Sequence, residues 1–277
     1  MSGEYDLEAG PDPATFAAAA AEPDIDEETD SPVYAVGVGP GNQEFLTPRG
    51  RRAIEEADVV VGFTTVVEFV DDLTDADLLT CGYKDEAEAL EAFGERVAAG
   101  ESGTAVAMGD PNHSGYQFVG KVQDAVERRS TSPASQAQQD AVERKTVDRP
   151  VRIVPGISSL QMAASRARTP MEDTEFVTLH KSGDLEADMA RMAAAVDDRH
   201  LLVLPRPYDR MPGDLAQFLL EEGAEPDLEA LVLEKLTHDD EEIHRFTLAE
   251  LSEHAGGCGK DETSFSDLVV LAVRQPV

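Results

Sequence analysis

Apolar runs and amphipathic segments alternate along the chain beyond its first 30 residues. Runs dominated by apolar residues predict buried strands at Val33–Val38, Asp58–Val61 and Thr104–Met108. Apolar residues spaced three and four apart predict helices between these strands, at Thr47–Glu56 and Glu86–Ala98. Such alternation indicates an α/β fold with a largely parallel sheet.

The alternation continues in the second half without a repeat of fixed length, which predicts two unequal α/β lobes. We place the first lobe at residues 31–170 and the second at residues 171–277. Residues 1–30 are predicted to be a disordered acidic tail, and residues 128–149 a polar loop insertion. A further helix is expected from about Tyr116. The other predicted strands are Val151–Val154, Phe176–Leu179, Leu201–Leu204, Glu229–Glu234 and Leu268–Val273, and the other predicted helices are Ser158–Arg168, Leu185–Val196, Asp214–Glu222 and Leu248–Glu253.

The charge is strongly acidic, with 56 acidic and 23 basic residues and a formal net charge of -33. A nucleic-acid-binding surface should be basic, so nucleic acid is not an expected partner. A chain this acidic repels itself unless salt screens it, which indicates a halophilic protein, and a haloarchaeal source is the natural expectation.

The two cysteines, Cys81 and Cys258, are far apart and outside any metal-ligand spacing, so neither a disulfide framework nor a metal site is predicted. No apolar run approaches the roughly 18 residues that span a bilayer, and the N-terminus lacks the pattern of a signal peptide. We therefore expect a cytoplasmic protein that does not associate with a membrane.

Three predicted loops leave a strand and enter a helix, and the first is the glycine-rich segment Gly37–Asn42. Glycines there let a backbone approach a ligand closely. A dinucleotide fingerprint would need a glycine at position 42 and an acidic residue at the end of the second strand, where Asn42 and Gly62 stand. A tight turn with no ligand is the structural alternative.

The second and third loops are Met108–Gly115 and Val154–Ser159. Open α/β sheets bind ligands beyond the carboxyl ends of their strands, where Asp110 can accept hydrogen bonds from a ribose or an amine. The alternative is that Asp110 caps a turn. The hydroxyls and backbone N–H groups of the third loop suit a ligand, a helix cap or both.

The motifs GVGPG, LTPRG, GDP and PGISS, in this order, resemble those of the S-adenosylmethionine-dependent tetrapyrrole methyltransferases. The resemblance runs from about Tyr34 to the C-terminus. Three later segments are similar in particular to the CbiE branch, the precorrin-6Y or cobalt-precorrin-7 C5-methyltransferases of cobalamin biosynthesis: PGISSLQMAASRARTPMEDTEFVTLH, VLEKLTHDDEEIHRFTLAEL and FSDLVVLAV.

The resemblance implies two αβα lobes, with a ligand cleft between them that holds S-adenosylmethionine as co-substrate. It also implies which residues contact the cofactor. Gly109, Asp110 and His113 would lie against its methionine and ribose parts, Ser158 and Ser159 beside it, and Pro205 and Leu236 against its adenosine. The sequence departs from the family pattern at Asn112 and His113, and in the segment LPRPYD.

The resemblance further implies a tetrapyrrole substrate, with the loop of Gly39, Pro40 and Gly41 near the transferred methyl group. Because the substrate carries many carboxylates, a local basic patch is expected. His180 with Lys181 is the favoured pair, and His180 is also the candidate catalytic residue if a base assists the loss of a proton. The full set of basic candidates is Arg49, Arg51, Arg52, Lys84, His180, Lys181 and Arg206.

Other functions stay open at this point. A sibling methyltransferase would act at another carbon of the macrocycle or on another tetrapyrrole, and a non-catalytic protein would only bind the cofactor or the tetrapyrrole. The family resemblance implies a homodimer. The chain lacks the fused domain that handles C15 methylation and decarboxylation in some relatives, so that activity would need a separate protein.

We predict that the unfolding temperature rises as KCl is raised from about 0.1 M to about 1 M, because the Debye length falls from about 10 Å to about 3 Å and repulsion between carboxylates is screened. Differential scanning calorimetry across a KCl series measures this. A flat or falling curve would remove the inference of adaptation to salt.

Overall fold

The computed structural model describes residues 33–82, 84–113, 115–130, 151–181, 183–207, 209–256 and 263–276, with the side chains of residues 128–130 excepted. The chain divides into two compact units, one ending at Ile157 and the other running from Ser158 to Val277. The predicted tail at residues 1–30 lies outside the described residues.

The first unit is built on a five-stranded sheet in which every neighbouring pair of strands is parallel. The strand order is β3-β2-β4-β1-β5, so β1 lies between β4 and β5. The strands β2, β3 and β4 lie on one side of β1, and β5 lies on its other side. Open parallel sheets form ligand crevices where the order of strands changes side in this way. The strands are β1 (Val33–Gly37), β2 (Val59–Phe63), β3 (Asp77–Cys81), β4 (Gly103–Ala107) and β5 (Val151–Val154).

Helices cover both faces of this sheet, because alternate residues of each strand point to opposite sides. On one face Val33, Ala35, Val59 and Val61 pack with residues of α3 and α4. On the other face Val36, Val60 and Val106 pack with residues of α1 and α2. The helices are α1 (Pro48–Glu55), α2 (Thr64–Val67), α3 (Glu86–Ala98) and α4 (Tyr116–Ser130), with short 3-10 turns at Gln43–Phe45 and Asp71–Leu73.

The second unit is built on a mixed five-stranded sheet in the order β6-β7-β10-β8-β9. The β6 and β7 strands are parallel, whereas β10 is antiparallel to both β7 and β8. The carboxyl ends of β6, β7 and β8 therefore lie at the same edge. The strands are β6 (Thr174–Thr178), β7 (His200–Leu204), β8 (Glu229–Glu234), β9 (Glu242–Thr247) and β10 (Val269–Arg274).

This second sheet also carries helices on both faces. One apolar cluster joins Val177, Leu201 and Leu271 to buried residues of α6, α7 and α8. The α5 helix packs on β7 and β10, and its buried residues are absent from that cluster, so it covers the opposite face. The helices are α5 (Ser159–Ala167), α6 (Glu186–Ala195), α7 (Pro212–Glu221) and α8 (Leu248–Ser252), and a 3-10 turn spans Met171–Asp173.

The predicted α/β architecture is confirmed, and three details differ from expectation. The largely parallel sheet holds for the first unit only. The units divide after Ile157 and not after residue 170, because α5 packs on strands of the second sheet. The predicted loop insertion at residues 128–149 begins within α4, which continues to Ser130, and residues 131–150 lie outside the described residues.

Two strands were missed, β3 and β9. Both lie at the edge of a sheet, and much of each is solvent-exposed, so neither has the apolar run that marks the central strands. Among the described residues, no helix is long and apolar enough to cross a membrane.

Candidate functional site

The three glycine-containing loops of the first unit meet at the carboxyl ends of β4, β1 and β5, which are neighbours in the sheet. Their contact is made by Gly37, Gly109 and Gly156. A Cβ atom on Gly37 would lie 2.4 Å from the Gly109 carbonyl oxygen, and one on Gly156 would lie 2.1 Å from the same oxygen. Side chains do not approach backbone this closely, so only glycine fits at these positions.

Backbone hydrogen bonds tie the first loop to the second. The Gly109 N–H donates to the Gly39 carbonyl at 2.8 Å, and the Gly39 N–H donates to the Gly109 carbonyl at 3.3 Å. Both residues have positive φ angles, 86° and 68°, which a residue with a side chain rarely adopts. The first and second loops are therefore in direct contact through their backbones.

The Asp110 carboxylate joins the second loop to the third. Its Oδ2 accepts a hydrogen bond from the Gly156 N–H at 3.1 Å, and its Oδ1 accepts one from the Asn112 N–H at 2.8 Å. Asp110 is therefore a turn-forming residue, as the structural alternative proposed, and also a link between two loops. Each carboxylate oxygen keeps further acceptor capacity.

His113 lies in the same loop, where its N–H donates to the Asp110 carbonyl at 3.0 Å. Burial lowers the pKa of the imidazole, and the nearby Asp110 charge opposes this shift without reversing it. The ring is consequently neutral at neutral pH and offers one donor and one acceptor nitrogen.

Ser158 and Ser159 start the α5 helix, and Ser158 is its N-cap. The Ser158 hydroxyl accepts from the Gln161 N–H at 3.2 Å, while the Gln161 side chain accepts from the Ser158 N–H at 2.9 Å. These reciprocal bonds form a capping box. The capping alternative for this loop is therefore observed, and Ser158 is buried in that role.

In the second unit, His180, Pro205 and Leu236 follow β6, β7 and β8, and so lie at the same edge of the sheet. Pro205 and Leu236 are both buried, whereas His180 is half-buried. Burial by itself suits a core residue as well as a ligand contact. Their common edge is the feature that groups them.

Lys181 does not have the free charge that the sequence suggested. Its ammonium lies 2.6 Å from the Asp188 carboxylate of α6, which is buried, and Arg191 lies 3.7 Å from the same carboxylate. A substrate carboxylate would have to compete with Asp188 for Lys181. The acidic partner was missed because carboxylates are common throughout this chain.

The remaining basic candidates are dispersed. The Arg49 guanidinium donates to the Tyr34 hydroxyl at 2.7 Å and stacks 4.7 Å from the centre of that ring, while staying exposed. Arg51 lies 3.7 Å from Glu55. Arg206 pairs with Asp209. Arg49, Arg52 and Lys84 are exposed, and none of them forms an ion pair with a carboxylate of the described residues; Arg49 is the one whose guanidinium is oriented by a tyrosine.

Metal binding finds no support in the described residues, which contain no group of three or more His, Cys, Asp or Glu side chains that could hold an ion. The Cys81 thiol is buried, and burial raises its pKa to about 12, with the charges of Glu86 and Asp85 adding to the shift. The thiol is therefore protonated at physiological pH and is a poor nucleophile or ligand.

The sequence profile of the Tetrapyrrole (Corrin/Porphyrin) Methylases matches residues 32–252. The chain belongs to this family. Membership confirms the predicted enzyme class, a methyltransferase, and S-adenosylmethionine is the methyl donor that the family uses.

Two relatives from Methanocaldococcus jannaschii illustrate how far the likeness extends. A probable cobalt-precorrin-7 C(5)-methyltransferase is 26% identical over 223 residues, which cover 79% of this chain and 91% of that protein. A cobalt-precorrin-4 C(11)-methyltransferase is 25% identical over 244 residues, which cover 80% of each protein. The two identities are nearly equal, so identity alone does not choose between ring positions.

A solved structure of similar fold is the uroporphyrin-III C-methyltransferase of Thermus thermophilus in complex with S-adenosylhomocysteine. It aligns with a TM-score of 0.59 at 20% identity, covering 88% of this chain and 92% of that one. At this identity the likeness shows a common fold, in agreement with the two α/β units described above.

We predict that Asp110→Asn lowers the free energy of unfolding by about 1–3 kcal/mol, because an amide NH₂ would replace one of the two acceptor oxygens that hold backbone N–H groups. Urea denaturation measures the change. Asp71→Asn, which alters an exposed carboxylate, is the control and should stay within about 0.5 kcal/mol of the parent. Equal stability of both variants would show that Asp110 does not join the loops.

Proposed function

We propose that this protein transfers a methyl group from S-adenosylmethionine to the C5 ring carbon of a precorrin or cobalt-precorrin in cobalamin biosynthesis. The observation that carries the proposal is the junction of three loops at the carboxyl ends of β4, β1 and β5, in a chain that belongs to the tetrapyrrole methylases. The likeness to a C(5)-methyltransferase over 91% of that relative supports the choice of carbon.

The junction suits a cofactor with a ribose and an amino acid part. Gly109 has no side chain to block a flat ligand, and Asp110 keeps lone pairs for a hydroxyl or an ammonium group. The neutral ring of His113 adds one donor and one acceptor. We assign Gly109, Asp110 and His113 to the cofactor, and with them Ser158, Ser159, Pro205 and Leu236 as the sequence analysis did.

S-adenosylmethionine supplies an electrophilic methyl group, and no protein nucleophile is needed to transfer it. The protein contributes by holding the two reactants in line at roughly 3–3.5 Å, which lowers the barrier by several kcal/mol. The glycine junction serves this purpose, because the close backbone contacts of Gly37, Gly109 and Gly156 restrict how the three loops can be arranged.

The macrocycle side is assigned to Gly39, Pro40 and Gly41, with Arg49 as a cation for a substrate carboxylate. Arg49 is exposed, and its contact with Tyr34 leaves other guanidinium N–H groups available for a carboxylate. Lys181 is a weaker candidate because Asp188 already neutralises it. His180 stays the proposed base for proton removal, with its half-buried position after β6 in support.

A sibling activity at another ring carbon is the second candidate, because the C(11)-methyltransferase relative is 25% identical over 80% of this chain. Three further predictions from the sequence stay predictions: a homodimer, a halophilic cytoplasm and a separate protein for C15 methylation and decarboxylation.

The test is to incubate the protein with S-adenosylmethionine, isotopically labelled in its methyl group, and a panel of precorrins with and without cobalt. We expect one methyl group to be gained, which mass spectrometry detects, and NMR to place the label on C5. Label on another carbon would favour the sibling activity. Binding of S-adenosylhomocysteine without turnover of any tetrapyrrole would identify a carrier, and binding of NAD instead would contradict the whole assignment.

A further inference from the structure

The turn after β8 contains two residues in the left-handed region that are not glycine. Lys235 has a φ angle of 48° and Thr237 one of 73°, and they stand on either side of Leu236. Side chains with a Cβ atom disfavour this conformation, and Thr is β-branched, which makes it less suited still. Two such residues in one turn mark a backbone that its surroundings must hold in place.

A single carboxylate holds the second of these residues. Glu241, at the far end of the loop, accepts a hydrogen bond from the Thr237 N–H at 2.7 Å through Oε2. The loop closes on itself as well, since the His238 N–H donates to the Lys235 carbonyl and the Glu241 N–H to the His238 carbonyl, both at 3.0 Å. The Lys235 N–H donates to the carbonyl of Leu268, the residue before β10, at 2.8 Å.

Glu241 is itself fixed by an arginine from α5. The Arg166 guanidinium grips the carboxylate with two bonds, Nε to Oε1 at 2.6 Å and Nη2 to Oε2 at 3.3 Å. This two-point geometry sets the direction of the carboxylate as well as its place. The bond from Arg166 is the first cause, and the Thr237 N–H a further one, of a pKa for Glu241 below its usual value.

The α5 helix carries Arg166 and starts at Ser159, with Ser158 as its N-cap. It therefore connects Ser158 and Ser159, which are assigned to the cofactor, with the turn that contains Leu236. Along α5, Arg166 is two turns beyond Ser159. The series of contacts from α5 through Arg166 and Glu241 to Thr237 is continuous, and all of these residues belong to the second unit.

We propose that Arg166 and Glu241 are positioning residues for the cofactor, which hold the Lys235–Thr237 turn in its strained form so that it can contact adenosine. This inference rests on the proposed function, in which Leu236 touches that part of the cofactor. Neither residue needs to touch the ligand. A purely structural role for the pair would stabilise the fold and leave cofactor affinity unchanged in any variant that stays folded.

The experiment measures the dissociation constant of S-adenosylhomocysteine by calorimetry for Glu241→Ala, Glu241→Gln and Arg166→Lys. We expect Glu241→Ala to weaken binding about tenfold, equivalent to about 1.4 kcal/mol, because the turn loses its carboxylate. Glu241→Gln should weaken it less, since an amide oxygen still accepts from Thr237. Arg166→Lys should also weaken it less, because the charge is kept and the two-point grip is lost.

A rescue variant separates strain from general damage. In Glu241→Ala combined with Thr237→Gly, glycine adopts the left-handed conformation at position 237 without the Cβ penalty, so affinity should return to within about threefold of the parent. The turnover assay should show a raised KM for S-adenosylmethionine with kcat nearly unchanged, because the turn is assigned to adenosine and not to the reacting carbon.

The matched control is Glu229→Ala, at the opposite end of β8, which removes the carboxylate partner of Arg245 and Arg274. Its affinity should stay within about twofold of the parent. Circular dichroism checks that each variant is folded, and if Glu241→Ala is not, the Gln and Lys variants decide. Parent-like affinity in all folded variants, or no recovery with Thr237→Gly, overturns the inference. A parent protein that does not bind S-adenosylhomocysteine refutes the proposed function instead.

Discussion

The close approach of three backbone segments at Gly37, Gly109 and Gly156 is the constraint on which the rest of the first unit depends. Each loop ends a different strand, and the carbonyl oxygen of Gly109 sits where a Cβ atom on either partner would need to be. The loops therefore have one mutual arrangement. Asp110 reinforces it by accepting the Gly156 N–H, so that the acidic side chain proposed to bind the cofactor also fixes the surface around it.

The second unit fixes the Lys235–Thr237 turn, which we propose contacts adenosine, by a different physical means. The first unit has glycines where its loops meet. The second unit instead has Lys235 and Thr237 in the left-handed conformation, and the pair Arg166–Glu241 holds their turn. Glycine junctions depend on sterics, which salt does not screen, whereas an exposed ion pair weakens as salt rises. The two-point geometry of this pair and its partial burial lessen that sensitivity.

Most of the fold was predictable because the central strands are short apolar runs bounded by turn residues, and β5 and β8 were placed to the residue. The exposed edge strand β9 gave no such signal, since EIHRFT mixes apolar and charged positions. Each glycine loop could be recognised separately. Their contact could not, because it depends on the order of strands in the sheet. Asp188 and Glu241 were missed because one carboxylate among 56 acidic residues carries no distinguishing pattern.

The most direct test of the account is the affinity of Gly156→Ala for S-adenosylhomocysteine, measured by calorimetry beside Gly82→Ala. An added methyl at Gly156 meets backbone at 2.1 Å and 2.7 Å, whereas at Gly82 the nearest atom is a side-chain oxygen 3.5 Å away. Gly156→Ala is expected to weaken binding at least about tenfold, from a distortion of about 1.4–3 kcal/mol, whereas Gly82→Ala should leave it within about twofold of the parent. Parent-like affinity of a folded Gly156→Ala protein would contradict the claim that the glycine junction forms the cofactor site.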